Sequence, residues 1–160
     1  MNSNNTQARL FRFRVPGIEA ALAIPIEQMA GVARLPAVTR IPCTPPAILG
    51  LGHWQAAPVV LIDLRLVLDP DAQPAAAPGY EDYHHVIVRV ALDNAITLVG
   101  CPIQAGGQIV NVPLILPGAP LPAGIAGEAV HRAVLIDNIP TLLIDMLRLP
   151  SLLAPLQPAG

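Results

Sequence analysis

Apolar and charged residues alternate from Leu10 to Val15, where Arg12 and Arg14 interrupt Phe11, Phe13 and Val15. A period of two predicts a half-buried strand. Pro16-Gly17 is a turn signal, and Ile18 to Ile26 reads as a second strand. Pro25 lies inside that strand and places it near an edge or a bulge. Glu27 to Leu35 fits either a short turn or another strand. Pro36 to Pro46 contains four prolines and reads as an extended connection. Ala47 to Gly52 suggests a short helical turn. Pro58 to Leu68 is the strongest strand signal, a continuous Val/Leu/Ile run that looks buried on both faces. Asp69 to Asp82, rich in Pro and Ala, reads as a linker. Beyond it, His85 to Val90 and Ala95 to Ile103 form a strand pair around Asp93-Asn94, a hairpin signal. Pro113 to Gly127 reads as a long surface loop. Val130 to Ile136 and Ile139 to Ile144 pair around Asp137-Asn138, and Met146 to Leu153 suggests a short closing helix.

The pattern repeats. Pro25-Ile26 and Val32 to Pro36 recur 77 positions later as Pro102-Ile103 and Ile109 to Pro113. Leu61-Ile62-Asp63-Leu64 recurs as Leu143-Ile144-Asp145-Met146. Two copies are too few for a solenoid, which needs at least three to bury its faces. They suggest two small subdomains sharing one core, a shape suited to gripping other proteins. The two Leu-Ile-Asp runs are expected to be buried strands in equivalent places.

Composition narrows the class. With 160 residues, 53% of them apolar, the chain can bury a core as one domain. Nineteen prolines make long helices improbable, so the expected class is all-β. The net charge is −2, all nine cations are Arg, and aromatics are 3%, which argues against nucleic-acid binding. No apolar run reaches the roughly 18 residues of a membrane span. The polar start, Met1 to Ala8, lacks a signal-peptide pattern, so a cytoplasmic location is expected. Cys43 and Cys101 read as free thiols.

Little points to chemistry. His84 and His85 are adjacent on an expected strand and face opposite ways, so they cannot easily share a metal ion. Cys43 and His53 are candidates for a nucleophile and its base, but no local motif joins them. Gly106-Gly107 is no phosphate loop. Asp63 and Asp145 end their runs as turn or cap acceptors. No catalytic residue, metal or cofactor is expected. Leu49 to Ala57 is more informative, because it places Trp54 with His53 and Gln55 in a charge-poor loop. Either Trp54 caps the core, or the loop is a recognition patch, where Trp is enriched.

Ala23 to Ile26, Arg34 to Pro42, Pro45 to Gly50, Val59 to Arg65 and Leu142 to Asp145 together resemble the CheW-like family. These are the coupling proteins of bacterial chemosensory arrays. The resemblance runs from about Leu10 to Leu149. It implies two small β-barrels around a shared apolar core, with short helical turns, and a non-catalytic adaptor that bridges chemoreceptors and a histidine kinase. The expected layout is a disordered tail over 1–8, a domain over 9–153 and a frayed tail over 154–160. Within the domain, 9–68 would be one subdomain, 69–82 the linker, 83–140 the second, and 141–153 a closing strand and helix. The family usually has Glu at the place of Gly31, an Asn-x-Arg-Gly loop at His53, Trp54, Gln55 and Ala56, and Asp at Gln104. Three charges are therefore neutral here. The resemblance implies that the Glu and Arg form an ion pair, and losing both avoids stranding one partly buried charge. Gly31, His53, Trp54, Gln55, Ala56 and Gln104 are the candidate partner-binding residues. Neutralising them should change which partners bind. An alternative role is a structural or regulatory module in another signalling complex, linked to pili or to kinase localisation.

Overall fold

The computed structural model describes residues 7–35, 37–69, 71–73, 83–92, 94–104 and 107–149. Ten strands follow in order: β1 (Gln7–Phe13), β2 (Ala21–Pro25), β3 (Met29–Arg34), β4 (Ile48–Trp54), β5 (Ala57–Ile62), β6 (His84–Leu92), β7 (Ala95–Ile103), β8 (Gln108–Pro113), β9 (Arg132–Ile136) and β10 (Ile139–Leu143). One short helix, α1 (Leu64–Leu68), follows β5, and 3-10 turns cover Ile26–Gln28, Gly127–Ala129 and Met146–Arg148.

The strands form two five-stranded sheets, ordered β8-β1-β2-β10-β9 and β3-β6-β7-β5-β4. Each sheet curls and closes on itself. Thr39, beyond β3, exchanges backbone hydrogen bonds of 2.8 and 2.9 Å with Leu51 on β4. Gly118, beyond β8, bridges Val134 on β9. Of these two barrels, the one containing β1 is here the first.

The barrels are built alike down to their registers. Leu10 faces Pro25 in the first as His85 faces Pro102 in the second. Leu142 lies beside Leu22 as Val60 lies beside Val99, and both pairings are parallel. Ile136 faces Ile139 as Trp54 faces Ala57. The sequence repeat is thus a structural repeat, and both Leu-Ile-Asp runs leave equivalent strands.

The barrels do not divide the chain at the linker, as the expected 9–68 and 83–140 subdomains would. β3 leaves the first barrel for the edge of the second, and β8 makes the reverse exchange. The hydrophobic pattern says which face of a strand is buried but not which neighbour it pairs with. Most of the linker and both chain ends lie outside the described residues, except that β1 already begins at Gln7, inside the expected tail. Ala47 to Gly52 is largely strand β4, not a helical turn.

The strand expected over Pro58 to Leu68 ends at Ile62. Asp63 accepts a hydrogen bond from the Arg65 backbone N–H at 3.0 Å and caps α1. Asp145 does the same for Leu147 at 3.0 Å at the equivalent place. An Asp at this position satisfies an N–H that the helix itself cannot. Leu64, Leu66, Val67 and Leu68 are all buried, so α1 is apolar nearly all round. Such a run cannot be told from a buried strand by periodicity.

Three cores result. A large one lies between the barrels and includes Phe11, Phe13, Leu22, Ile24, Leu64, Val86, Val88 and Leu142. Each side chain buried there contributes roughly 1.5–3 kcal/mol. A smaller core lies inside each barrel: Leu10, Ala23, Val112, Val134 and Ile136 in the first, Leu35, Val59, Leu61 and Ile87 in the second.

Candidate functional site

Strands β4 and β5 form a hairpin whose turn is Gln55-Ala56. Both turn residues are left-handed, with φ of 50° and 62°. Two-residue hairpins need this conformation because it matches the twist of the flanking strands. Asn, Asp and Gly adopt it cheaply, whereas Gln and Ala lack that ease. His53, Gln55 and Ala56 are exposed, and Trp54 is half-buried.

Trp54 ends β4, at one edge of the curled sheet. Its indole crosses to β3, at the other edge, and lies on Gly31. A Cβ at position 31 would fall 2.9 Å from Cζ2 and 3.2 Å from Cη2 of the ring. That is closer than real Cβ atoms come, so the indole occupies the space a side chain would need. Trp54 also packs on the inner core of the second barrel, formed by Leu35, Val59, Leu61 and Ile87. It therefore caps the core with one face and meets solvent with the remainder.

The structure thus joins Gly31 to Trp54 and the turn. Gln104 is not part of the group. β5 and β7 run parallel, so the 55–56 turn, just before β5, lies at the β7 end near Ala95. Gln104 follows the other end of β7, where its backbone N–H donates to the Arg14 carbonyl at 2.8 Å.

Sequence reasoning missed Arg89. It is exposed on β6, and Nη1 donates to the Met29 carbonyl at 3.1 Å. Met29 is two residues before Gly31, and Arg89 faces Leu98 across β7. The guanidinium therefore stands at the same barrel mouth as Trp54. The signal was present: Arg89 is the one Arg in the apolar stretch from Val86 to Ala91.

The remaining candidates for chemistry are dispersed. His84 is exposed and His85 is fully buried, at 0% exposure. Neither His85 ring nitrogen has a hydrogen-bond partner. Burial lowers its pKa to about 4, with a smaller push from His84, against the opposing backbone groups of Ala33 and Tyr83. The imidazole is therefore neutral at pH 7. Cys43 is exposed, and no hydrogen bond joins it to His53 among the described residues. Cys101 is buried in the shared core, and that burial pushes its thiol pKa up, away from thiolate chemistry. Among the described residues no three metal-ligating side chains come together, and no helix is long and apolar enough to cross a membrane.

Comparison with known proteins fits this architecture. The family model of the CheW-like domain matches residues 9–153. Among solved structures, the scaffolding protein TtCheW from Thermoanaerobacter tengcongensis is similar, with a TM-score of 0.69 at 17% identity. The match covers 93% of this chain and 91% of that one. No curated protein matches in sequence.

Proposed function

The chain belongs to the CheW-like domain family, and on that premise we propose that it is a non-catalytic adaptor in chemosensory signalling. It couples a receptor-like protein and a histidine kinase, or diverged equivalents of either, in the cytoplasm. Gly31, His53, Trp54, Gln55 and Ala56 form part of the surface that holds a partner. The observation that carries this reading is the indole seated on Gly31. Where the family resemblance implies a charge pair, this chain has an aromatic cap that still offers part of its surface to solvent. An aromatic ring supplies contact area with few rotatable bonds. Electrostatics chooses partners more than it adds affinity, so a neutral turn supports a partner set shifted from the family's usual one.

The test uses the receptor cytoplasmic region and the kinase regulatory domain of the same host, each titrated against the purified chain. Trp54→Ala is expected to weaken capture by about 2 kcal/mol or more, roughly 30-fold. The variant must remain folded at the assay temperature. Unchanged affinity would remove Trp54 from the partner surface. Absence of binding by the wild type to both proteins would favour a role in a different signalling complex. Restoring the charge pair with Gly31→Glu and Gln55→Arg also displaces the indole, because a Cβ at 31 meets the ring at 2.9 Å. A gain of standard receptor and kinase binding by that double variant would identify neutralisation as the specificity switch.

A further inference from the structure

The two barrel mouths carry different charges. In the first, the turn equivalent to Gln55-Ala56 is Asp137-Asn138, and the Asp137 carboxylate lies 3.7 Å from Arg12 Nη1. That mouth contains its own acid. In the second, Gln55 stands where Asp137 stands in the first, and Ile87 stands where Arg12 does. The second mouth keeps one cation, Arg89, held by a neutral carbonyl. Among the described residues no carboxylate lies within ion-pair distance of it.

A guanidinium has five donors in a planar fork. The Met29 carbonyl holds one of the Arg89 donors, and the side chain is exposed. Beside it, Trp54 offers the open part of its ring. Anchored cation and apolar surface together match a carboxylate with an apolar neighbour. We propose that Arg89 is the charged specificity determinant of this surface. It receives an Asp or Glu of the protein partner while an apolar side chain next to that acid packs on Trp54. The inference rests on the adaptor reading above and adds the partner's chemistry to it.

The two residues should act on different steps of binding. A rim charge steers encounter, so it governs the association rate and its salt dependence. A packed aromatic governs how long the complex lasts. Association and dissociation rates are measured for wild type, Arg89→Gln, Arg89→Lys and the distant control Arg9→Gln. The immobilised probes are the host's receptor cytoplasmic region and kinase regulatory domain, at about 50 and about 300 mM salt. Arg89→Gln is expected to slow association about fivefold at low salt and to flatten its salt dependence, with dissociation little changed. Arg89→Lys should recover most of the rate, and Arg9→Gln should match wild type. If Arg89→Gln associates like wild type at both salt concentrations, Arg89 is not the determinant, and the adaptor reading stands. An equal loss in Arg9→Gln would mean diffuse attraction and would also overturn the assignment. Failure of wild type to bind either probe would overturn the adaptor reading together with the inference.

Discussion

The hairpin turns Gln55-Ala56 and Asp137-Asn138 have the same backbone and opposite chemistry. Their φ angles are 50° and 62° in one, 51° and 60° in the other. Asp and Asn suit a left-handed turn, so the first barrel's turn agrees with its sequence. Gln and Ala do not, so the second barrel's turn is held by what surrounds it. The residue before each turn shows the same contrast: Ile136 is buried at 3%, whereas Trp54 is half-exposed and leans on Gly31. One end of the molecule is built for stability. Its twin tolerates strain and exposed aromatic surface, a combination that clusters at functional sites.

The inner cores differ in the same direction. Leu10 in the first barrel is replaced in the second by His85, buried with both nitrogens unpaired. A buried polar group without a partner loses its hydration and gains nothing in return. The first barrel has its own irregularity, since Arg12 Nη1 is buried without a hydrogen bond. Arg12 nevertheless reaches the exposed Asp137, whereas among the described residues no carboxylate forms an ion pair with His85.

Truncation at the paired cap positions should give the largest stability effect. Ile136→Ala empties a buried site and is expected to cost about 2–5 kcal/mol in urea unfolding. Trp54→Ala should cost clearly less despite removing a larger side chain, because part of the indole is already in water. Equal losses would mean that both caps serve stability alone, which breaks the contrast.

Acid should then separate the inner cores. The folded-state pKa of His85 is lowered from 6.5 to about 4, so folding favours the neutral ring. Its stabilising contribution is complete above pH 6.5 and is lost as pH falls toward 4. The wild type should lose about 3 kcal/mol over that interval from this group. His85→Leu, which copies Leu10, should lose less between pH 7 and pH 4.5 and should be at least as stable at pH 7. Identical pH profiles for the two proteins would show that the imidazole finds a partner in solution.

Exchanging the turns gives the smallest effect and the sharpest comparison. Gln55→Asn with Ala56→Gly is expected to raise stability by about 1–2 kcal/mol, because both residues accept the left-handed conformation. Asp137→Gln with Asn138→Ala should lower it by a similar amount. No gain from the first exchange would mean that the second barrel's turn relaxes in solution and stores no strain.

The sequence was sufficient for some of this. Alternation located β1, and the turn signals located both hairpins of the second half. The repeat anticipated two equivalent units, and the ordered motifs identified the family. Asp63 and Asp145 were legible as caps because an Asp side chain meets an N–H two residues on through local geometry alone. These features depend on neighbours in the chain, so the chain records them. Other features depend on contacts between distant segments. Nothing local to Met29–Arg34 or Gln108–Pro113 says that each joins the other barrel's sheet. Trp54 could be read as core or as surface until the closing of the second barrel brought β4 to Gly31. Arg89 drew no notice in the sequence, and only the fold sets it on the Met29 carbonyl. Gln104 looked like a member of the site until the parallel pairing of β5 and β7 placed it at the opposite end. Periodicity fixes which side chains turn inward, whereas strand pairing and barrel closure decide what they meet there.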